Sequence, residues 1–380
     1  HRNRLELFWS FRVNDTHDGS LTAAYSPPLF RANRLKNEHP DWLIGKPAER
    51  LKHGAWSAVD YGRAEVRDLA LRYCEEVCRN YDVDGIELDF FRHAFLFKRS
   101  ATGEPCGAEE LAQLTDLMRR IRSMTEEVGR VRQRTFLVAV RVPDSVEYCR
   151  VIGIDLERWL SEGLLDLLVV GGYVQLNPWE TSVALGRKHG VKVYPSLDES
   201  RVRDEAAREL RMTNEAIRGR VRNVWAAGAD GVYFFNRFNP ADPVWRESAD
   251  PQRTSRLDRD YFVSARGRGT VPVPHDKFQM IPTLNPQHPV ALATAPVELP
   301  LRAAEDFARP DGGRRITLRL RFGEVTAPAG VHVAINDIEL PNGAATSDGP
   351  WLTFPLEAES LRTDNVLSVS ASSSAPTKLA

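Results

Sequence analysis

The sequence predicts an α/β protein, a (β/α)8 TIM-like barrel followed by an antiparallel β-sandwich. Over the first two-thirds of the chain, apolar strand-like runs alternate with helical patterns. Runs that are apolar almost throughout are typical of parallel strands buried on both faces. From residue 316 onward the alternation becomes two-residue, with turn signals such as Pro-Asn-Gly, which is typical of a sandwich. A length of 380 residues has room for about two domains.

Six strands with helices between them are predicted in the barrel region. The strands are Leu5–Val13, Val83–Phe91, Phe136–Val142, Leu165–Tyr173, Val191–Leu197 and Gly231–Asn236. The helices are Ala64–Asn80, Ala108–Val128, Asp155–Glu162, Pro178–His189 and Thr213–Ala227. Because this kind of barrel has eight units, we expect the first two βα units to be absent from this chain. The alternative is that two short strands lie within Ser20–Asp60, a segment that looks more like a long loop.

The predicted domains are a TIM-like catalytic barrel at 1–260, an irregular connecting segment at 261–310 and a β-sandwich accessory domain at 311–380. Residues 239–300 are rich in Pro, Asp and Arg and show no sustained helical period. The tail from residue 370 to 380 is expected to be frayed. If two strands are missing, a missing N-terminal segment or a second chain would have to associate with the open barrel edge.

Composition excludes several classes of function. Lys and Arg number 51 against 52 Asp and Glu, which argues against a general nucleic-acid binder. No apolar run is long enough to span a membrane. No phosphate-binding glycine loop is present, so nucleotide binding is not expected. The predicted carboxylate chemistry implies no organic cofactor. The opening residues resemble a strand rather than a signal peptide, and localisation stays open, with secretion or the periplasm favoured if a leader was removed upstream.

The segment YDVDGIELDFFRH is the most informative part of the sequence. Side chains alternate along a strand, so Glu87 and Asp89 share one face, with Cα atoms roughly 6–7 Å apart. Two carboxylates on one face are costly to bury unless they are paired or used. Glycoside hydrolysis uses such a pair, one as proton donor and one as nucleophile or base. Asp89 is the first candidate for the catalytic carboxylate, with Glu87 as its partner or as a positioning group. The other interpretation is that both form salt bridges with barrel arginines.

The same residues resemble a known family. DGIELDFFRH, after a helix ending in NYDVDG, is similar to the fourth-strand signature of the family-10-like glycosyl hydrolases, which are TIM-barrel carbohydrate-active enzymes. HPDWLIG, GAWSAVDY and SFRVNDTHD resemble their third-strand region, and the likeness covers about residues 5–240. It implies that Asp89 is the strand-end aspartate and Arg92 the arginine beyond it, and that two strands precede His1. Chitinase-type barrels carry a glutamate where this chain has Phe91, so a chitinase mechanism is not expected.

Polar residues follow the other predicted strands. The fifth predicted strand is followed by Asp198 and Glu199, either of which is a candidate second carboxylate or a helix N-cap. Asp15 and His17 after the first strand are both possible metal ligands, but with a single histidine the predicted role is sugar binding and no metal. The predicted substrate-binding residues are Arg12, Asn14, Asp15, His17, Trp56, Arg92, His93, Arg141, Tyr173, Asn236 and Arg237.

The predicted function is hydrolysis of a glycosidic bond in a poly- or oligosaccharide. Four strand ends carry an arginine: Arg12, Arg92, Arg141 and Arg237. Since arginine pairs with carboxylate and sulfate through a bidentate fork, an anionic sugar, either a uronate or a sulfated residue, is favoured. The alternatives are a non-catalytic carbohydrate-binding barrel and a polysaccharide lyase acting on uronates.

Overall fold

The computed structural model describes residues 5–19, 33–171, 175–198, 205–263, 284, 289–308, 315–323, 330–372 and 377–380. Contacts divide the chain into two compact units. The described residues up to Ser196, together with Ala229–Tyr233, belong to the first unit. The second contains Leu197–Gly228 and the described residues from Phe234 to the end of the chain.

A parallel sheet forms the framework of the first unit. Its strands follow one another in chain order: β1 (Phe8–Arg12), β2 (Gly85–Asp89), β3 (Leu137–Val142), β4 (Leu167–Val170), β5 (Lys192–Leu197) and β6 (Tyr233–Phe234). Each lies within a strand predicted from the sequence, although all are shorter than predicted. Adjacent pairs from β1 to β5 are parallel.

The parallel sheet is strongly curled. In a flat sheet, β2 and β6 would lie about 19 Å apart, because neighbouring strands are spaced by about 4.8 Å. Nevertheless, the hydroxyl of Tyr233 on β6 lies 3.0 Å from a carboxylate oxygen of Glu87 on β2. The six strands therefore form an arc of a TIM-like barrel, and the described residues do not complete eight units. In the described part of the segment proposed to hide two strands, residues 33–60, the β-structure is limited to an isolated bridge between Leu43 and Val59.

Helices follow the strands and bury one face each. The long ones begin and end close to their predicted bounds, since apolar residues recur at helical spacing: Val66, Ala70, Cys74 and Cys78 form the buried face of α2. The helices are α1 (Arg34–Glu38), α2 (Ala64–Asn80), α3 (Lys98–Thr102), α4 (Ala108–Arg132), α5 (Val146–Val151), α6 (Leu156–Ser161), α7 (Trp179–His189), α8 (Glu205–Met212), α9 (Asn214–Ala226), α10 (Val244–Ser248) and α11 (Pro251–Thr254). In the described ranges, none combines the length and apolar character that crossing a bilayer requires.

The β-sandwich lies in the second unit. A four-stranded sheet has the order β11 (Ile338–Glu339), β10 (Val331–Ile335), β14 (Asp364–Ala371), β8 (Val297–Arg302). A three-stranded sheet has the order β12 (Thr346–Asp348), β13 (Trp351–Leu356), β9 (Ile316–Arg321). Apolar residues of both sheets, among them Leu320, Phe354, Val333 and Val369, form one buried core.

One sequence expectation about the second unit is wrong, and the structure adds short elements to it. The stretch 239–300 shows no sustained helical period in the sequence, yet it contains α10, α11, β8 and the short strand β7 (Val290–Leu292), because elements this short leave no such period. The tail is not frayed throughout. Residues Thr377–Leu379 form β15, which pairs with β7 and buries Leu379 completely. The domain boundaries stay a prediction.

Candidate active site

Strand register places the two predicted carboxylates among polar neighbours. Glu87 of β2 is level with Ser10 of β1, and Asp89 is level with Arg12 of β1 and with Arg141 of β3. Because paired residues of adjacent strands point to the same face, these side chains share one face of the curled sheet, which we call the carboxylate face. Ile86 and Leu88 point to the other face and are buried.

Asp89 is buried and fully engaged. Its Oδ1 accepts hydrogen bonds from the backbone N–H groups of Phe91 and Arg92, each at 2.9 Å. Its Oδ2 accepts one from Nη1 of Arg141 at 3.0 Å. The Asp89 and Arg141 side chains are 2% and 0% exposed, respectively. Asp89 thus fixes the turn after β2 and neutralises a buried guanidinium. Because both of its oxygens already accept hydrogen bonds, Asp89 is poorly placed to contact a substrate.

Glu87 has the properties of a proton donor. The hydroxyl of Tyr233 lies 3.0 and 3.1 Å from its two carboxylate oxygens, and Ser10 gives a further hydrogen bond. Burial, reinforced by the charge of Asp89, raises the pKa of Glu87 to about 7. The hydrogen bonds and the positive charge of Arg141 oppose that rise. Near neutral pH, a substantial share of Glu87 therefore carries a proton that it can donate.

Tyr233 is the residue of this site that the sequence interpretation missed. The centre of its ring also lies 5.8 Å from the guanidinium carbon of Arg141. Tyr233 is therefore adjacent to both Glu87 and Arg141 on the carboxylate face. Its own pKa is raised by burial and by the nearby negative charge of Glu87. The available signal was the alternation in GVYFFN, which places Tyr233 on the same face as Gly231.

A second polar cluster lies where β1 and β2 end. Asp15 accepts a hydrogen bond from His17 Nδ1 at 2.6 Å and one from Arg12 Nη1 at 3.1 Å. His93, which follows β2, comes within 3.9 Å of the Asp15 carboxylate, and Arg92 lies 3.0 Å from His17. Burial lowers the pKa of His93 to about 4. Five of the predicted binding residues are thus brought together here.

Other predicted binding residues have structural partners. Asn14 is buried, and its amide exchanges hydrogen bonds with the backbone of Val59 and donates to the carbonyl of Phe95. Trp56 is only 9% exposed and packs with Leu43, so it offers no open ring to a sugar. Arg141 is buried and forms an ion pair with Asp89.

The remaining predicted residues belong to the second unit or lie outside the described ranges. Asp198 directly follows β5 and is buried. Asn236 is exposed, and Arg237 pairs with Asp242. Tyr173 and Glu199 lie outside the described residues.

Comparison with known proteins gives weak likenesses. No family model matches the chain. An S-layer-related protein from Niallia circulans is 42% identical over 60 residues, which are 16% of this chain and 4% of that protein. This chain therefore spans a small fraction of that relative.

The similar solved structures include several glycoside hydrolases. The endo-beta-1,4-mannanase from Thermotoga petrophila gives a TM-score of 0.38 at 12% identity, covering 82% of this chain and 72% of the mannanase. A glycoside hydrolase family 18 N-acetylglucosaminidase from Paenibacillus barengoltzii gives 0.35 at 13% identity, covering 60% of this chain and 87% of that enzyme. Likenesses this weak carry no argument about activity, and they do not single out the family-10-like glycosyl hydrolases.

Proposed function

We propose that this protein is a carbohydrate-active enzyme, a glycoside hydrolase that cleaves a bond in a poly- or oligosaccharide, with Glu87 as the proton donor. The observation that carries the proposal is a buried glutamate on the carboxylate face, held at both oxygens by the Tyr233 hydroxyl. Burial and the neighbouring charge of Asp89 raise its pKa to about 7. A group that is partly protonated at neutral pH is suited to protonate a leaving oxygen. Strongly shifted pKa values are concentrated at functional sites.

Asp89 acts in this scheme as a positioning residue. Its hydrogen bonds hold Arg141 and the turn after β2 in place, and its negative charge contributes to the raised pKa of Glu87. This differs from the sequence-based hypothesis, in which Asp89 was the first choice for a reacting carboxylate. The second reacting carboxylate stays a sequence-based prediction, with Asp198 and Glu199 as its candidates.

We further propose that the sugar is anionic. Of the four arginines that suggested this from the sequence, three pair with carboxylates of the protein itself. Arg141 neutralises Asp89, and Arg237 pairs with Asp242. Arg12 and Arg92 lie at the ends of β1 and β2, where Arg12 pairs with Asp15 and Arg92 lies 3.0 Å from His17. A uronate carboxylate or a sulfate group would be attracted to this pair.

The test is release of reducing ends from a panel of neutral, uronate-rich and sulfated glycans. Intact protein is compared with Glu87→Gln and with a control, Glu76→Gln, which changes an exposed glutamate of α2. We expect release by the intact and control proteins and its loss in Glu87→Gln. Binding without release by all three proteins would instead indicate a carbohydrate-binding barrel, and products with an unsaturated uronate would indicate a lyase.

A further inference from the structure

The cluster at the ends of β1 and β2 contains a metal-ligand set that the proposed hydrolysis does not use. We propose that Asp15, His17 and His93 bind a divalent first-row transition metal, with zinc as the test case. One ligand-type atom from each residue lies within 4.8 Å of the others. Two imidazoles and one carboxylate suit such a metal, whereas calcium and magnesium prefer oxygen ligands alone. The sequence offered a single histidine here, and the fold supplies the second.

His93 is oriented for coordination. Its Nδ1 lies 2.8 Å from the hydroxyl of Thr16, which fixes the ring. Its Nε2 is buried, has no hydrogen-bond partner among the described residues and lies 3.9 Å from Oδ1 of Asp15. Zinc bonds of about 2 Å in tetrahedral geometry separate ligand atoms by roughly 3.4 Å. A shift of about half an ångström would therefore bring both atoms to a shared ion. Ligand histidines are typically held through their second nitrogen in this way.

Asp15 and His17 supply the other two ligands. Nδ1 of His17 lies 2.6 Å from the same Asp15 oxygen, and the backbone N–H of His17 donates to that oxygen at 2.8 Å. A metal ion would displace the hydrogen that His17 and Asp15 share, and the two ligand atoms would move apart by about 0.8 Å to reach tetrahedral spacing. The displaced proton would be taken up at Nε2 of the same imidazole, so the ring stays neutral. The two side chains are 50% and 37% exposed and line a cavity of about 550 Å³. An ion can thus reach them from solvent, and a fourth coordination position stays open for water or a ligand oxygen.

Two neighbouring arginines should weaken metal binding at this site. Arg12 donates to Oδ2 of Asp15 at 3.1 Å, and Arg92 lies 3.0 Å from Nε2 of His17. Both positive charges disfavour a cation. Moreover, when His17 coordinates through Nδ1, its Nε2 carries the hydrogen and no longer accepts one from Arg92. Neutralising Arg92 should therefore strengthen metal binding.

The experiment is calorimetric titration of the chelator-treated full chain with zinc, supported by the visible absorption spectrum of the cobalt(II) form. We expect one site per chain, at least a tenfold loss of affinity in His93→Gln and in His17→Gln, and a several-fold gain in Arg92→Gln. His332→Gln is the matched control, because His332 lies 3.6 Å from Glu339 in the second unit but belongs to no three-residue ligand group among the described residues. It should leave the affinity unchanged.

Three results would overturn the proposal. One is the absence of single-site zinc binding up to millimolar concentration. Another is affinity in the His17→Gln protein equal to that of the intact chain, because His17 supplies one of the three proposed ligands. The third is loss of binding in His332→Gln. Thermal unfolding in chelator checks that each variant is folded. No sugar enters these measurements, so their outcome is independent of the proposed hydrolase activity.

Discussion

The hydroxyl of Tyr233 lies within hydrogen-bond distance of both carboxylate oxygens of Glu87, at 3.0 and 3.1 Å, across 146 residues of sequence. This contact joins β6 to β2 over the hollow of the curled sheet. It also fixes the orientation of a buried carboxyl whose pKa is raised to about 7. The proposed role of Glu87 as proton donor rests in part on this contact with Tyr233.

Replacing Glu87 with Gln should strongly slow glycan hydrolysis while stabilising the fold at neutral pH. The loss in kcat is expected to be about 10²- to 10⁴-fold, the usual contribution of general acid catalysis. The folded-state pKa of Glu87 is raised from 4.5 to about 7. Its contribution to stability is therefore fully present below pH 4.5 and is lost as the pH rises through 7, a loss of about 3 kcal/mol. The glutamine side chain of the variant does not titrate, so the variant does not lose this unfolding free energy as the pH rises.

Urea unfolding of both proteins near pH 4 and pH 8 measures this effect. The drop in unfolding free energy between the two pH values should be smaller in Glu87→Gln than in the intact protein. The Glu76→Gln control should retain the full drop. Equal pH dependence in all three proteins would show that Glu87 titrates normally.

Replacing Tyr233 with Phe should move the pH profile upward. The phenol hydrogen bond lowers the pKa of Glu87 against the effect of burial. Without it, the acid form persists to higher pH, by about one pH unit if the bond contributes about 1.4 kcal/mol. The measurement is the pH at which kcat/KM falls to half of its maximum. A lower overall rate with an unmoved profile would assign Tyr233 a purely structural role.

Replacing Asp89 with Asn should destabilise the fold. The change leaves the Arg141 guanidinium buried without its carboxylate partner, which typically costs about 3–5 kcal/mol. Asp68→Asn is the comparison, because Asp68 pairs with Arg120 at 2.7 Å on the surface, where such pairs contribute about 0–1 kcal/mol. Denaturant unfolding measures both. A stable but inactive Asp89→Asn protein would return Asp89 to the role of a reacting group.

Replacing Gly85 with Ala should also destabilise the sheet. A methyl group at this position would overlap the ring of Phe8 and the carbonyl oxygen of Leu137 on the neighbouring strands. Crowding of this kind costs about 1–3 kcal/mol. In Gly343→Ala the added methyl group would meet no atom within 4 Å beyond its chain neighbours. This variant should leave the thermal midpoint nearly unchanged. Equal midpoints for both variants would contradict the close packing of β1, β2 and β3.

The sequence predicted the elements well where a local pattern was long. Helix α2 matches its predicted bounds because Val66, Ala70, Cys74 and Cys78 recur at helical spacing over 17 residues. Short elements such as α10 and β7 were missed, since a few residues carry no detectable period.

The candidate site was predicted only in part, because its chemistry depends on contacts between distant residues. Alternation along β2 correctly placed Glu87 and Asp89 on one face. It did not show that Arg141 engages Asp89 or that Tyr233 reaches Glu87. The proximity of His93 to Asp15 likewise depends on how the ends of β1 and β2 meet. Roles that depend on burial and on such partners could not be assigned before the fold was known.

The dependence of Glu87→Gln activity on the leaving group tests the central claim most directly. A natural glycan needs its leaving oxygen protonated, whereas an aryl glycoside with a strongly acidic phenol does not. If Glu87 is the proton donor, Glu87→Gln should lose about 10²-fold or more in kcat/KM on the glycan and retain most of it on the activated aryl glycoside. An equal loss on both substrates would contradict the assignment of Glu87 as the acid.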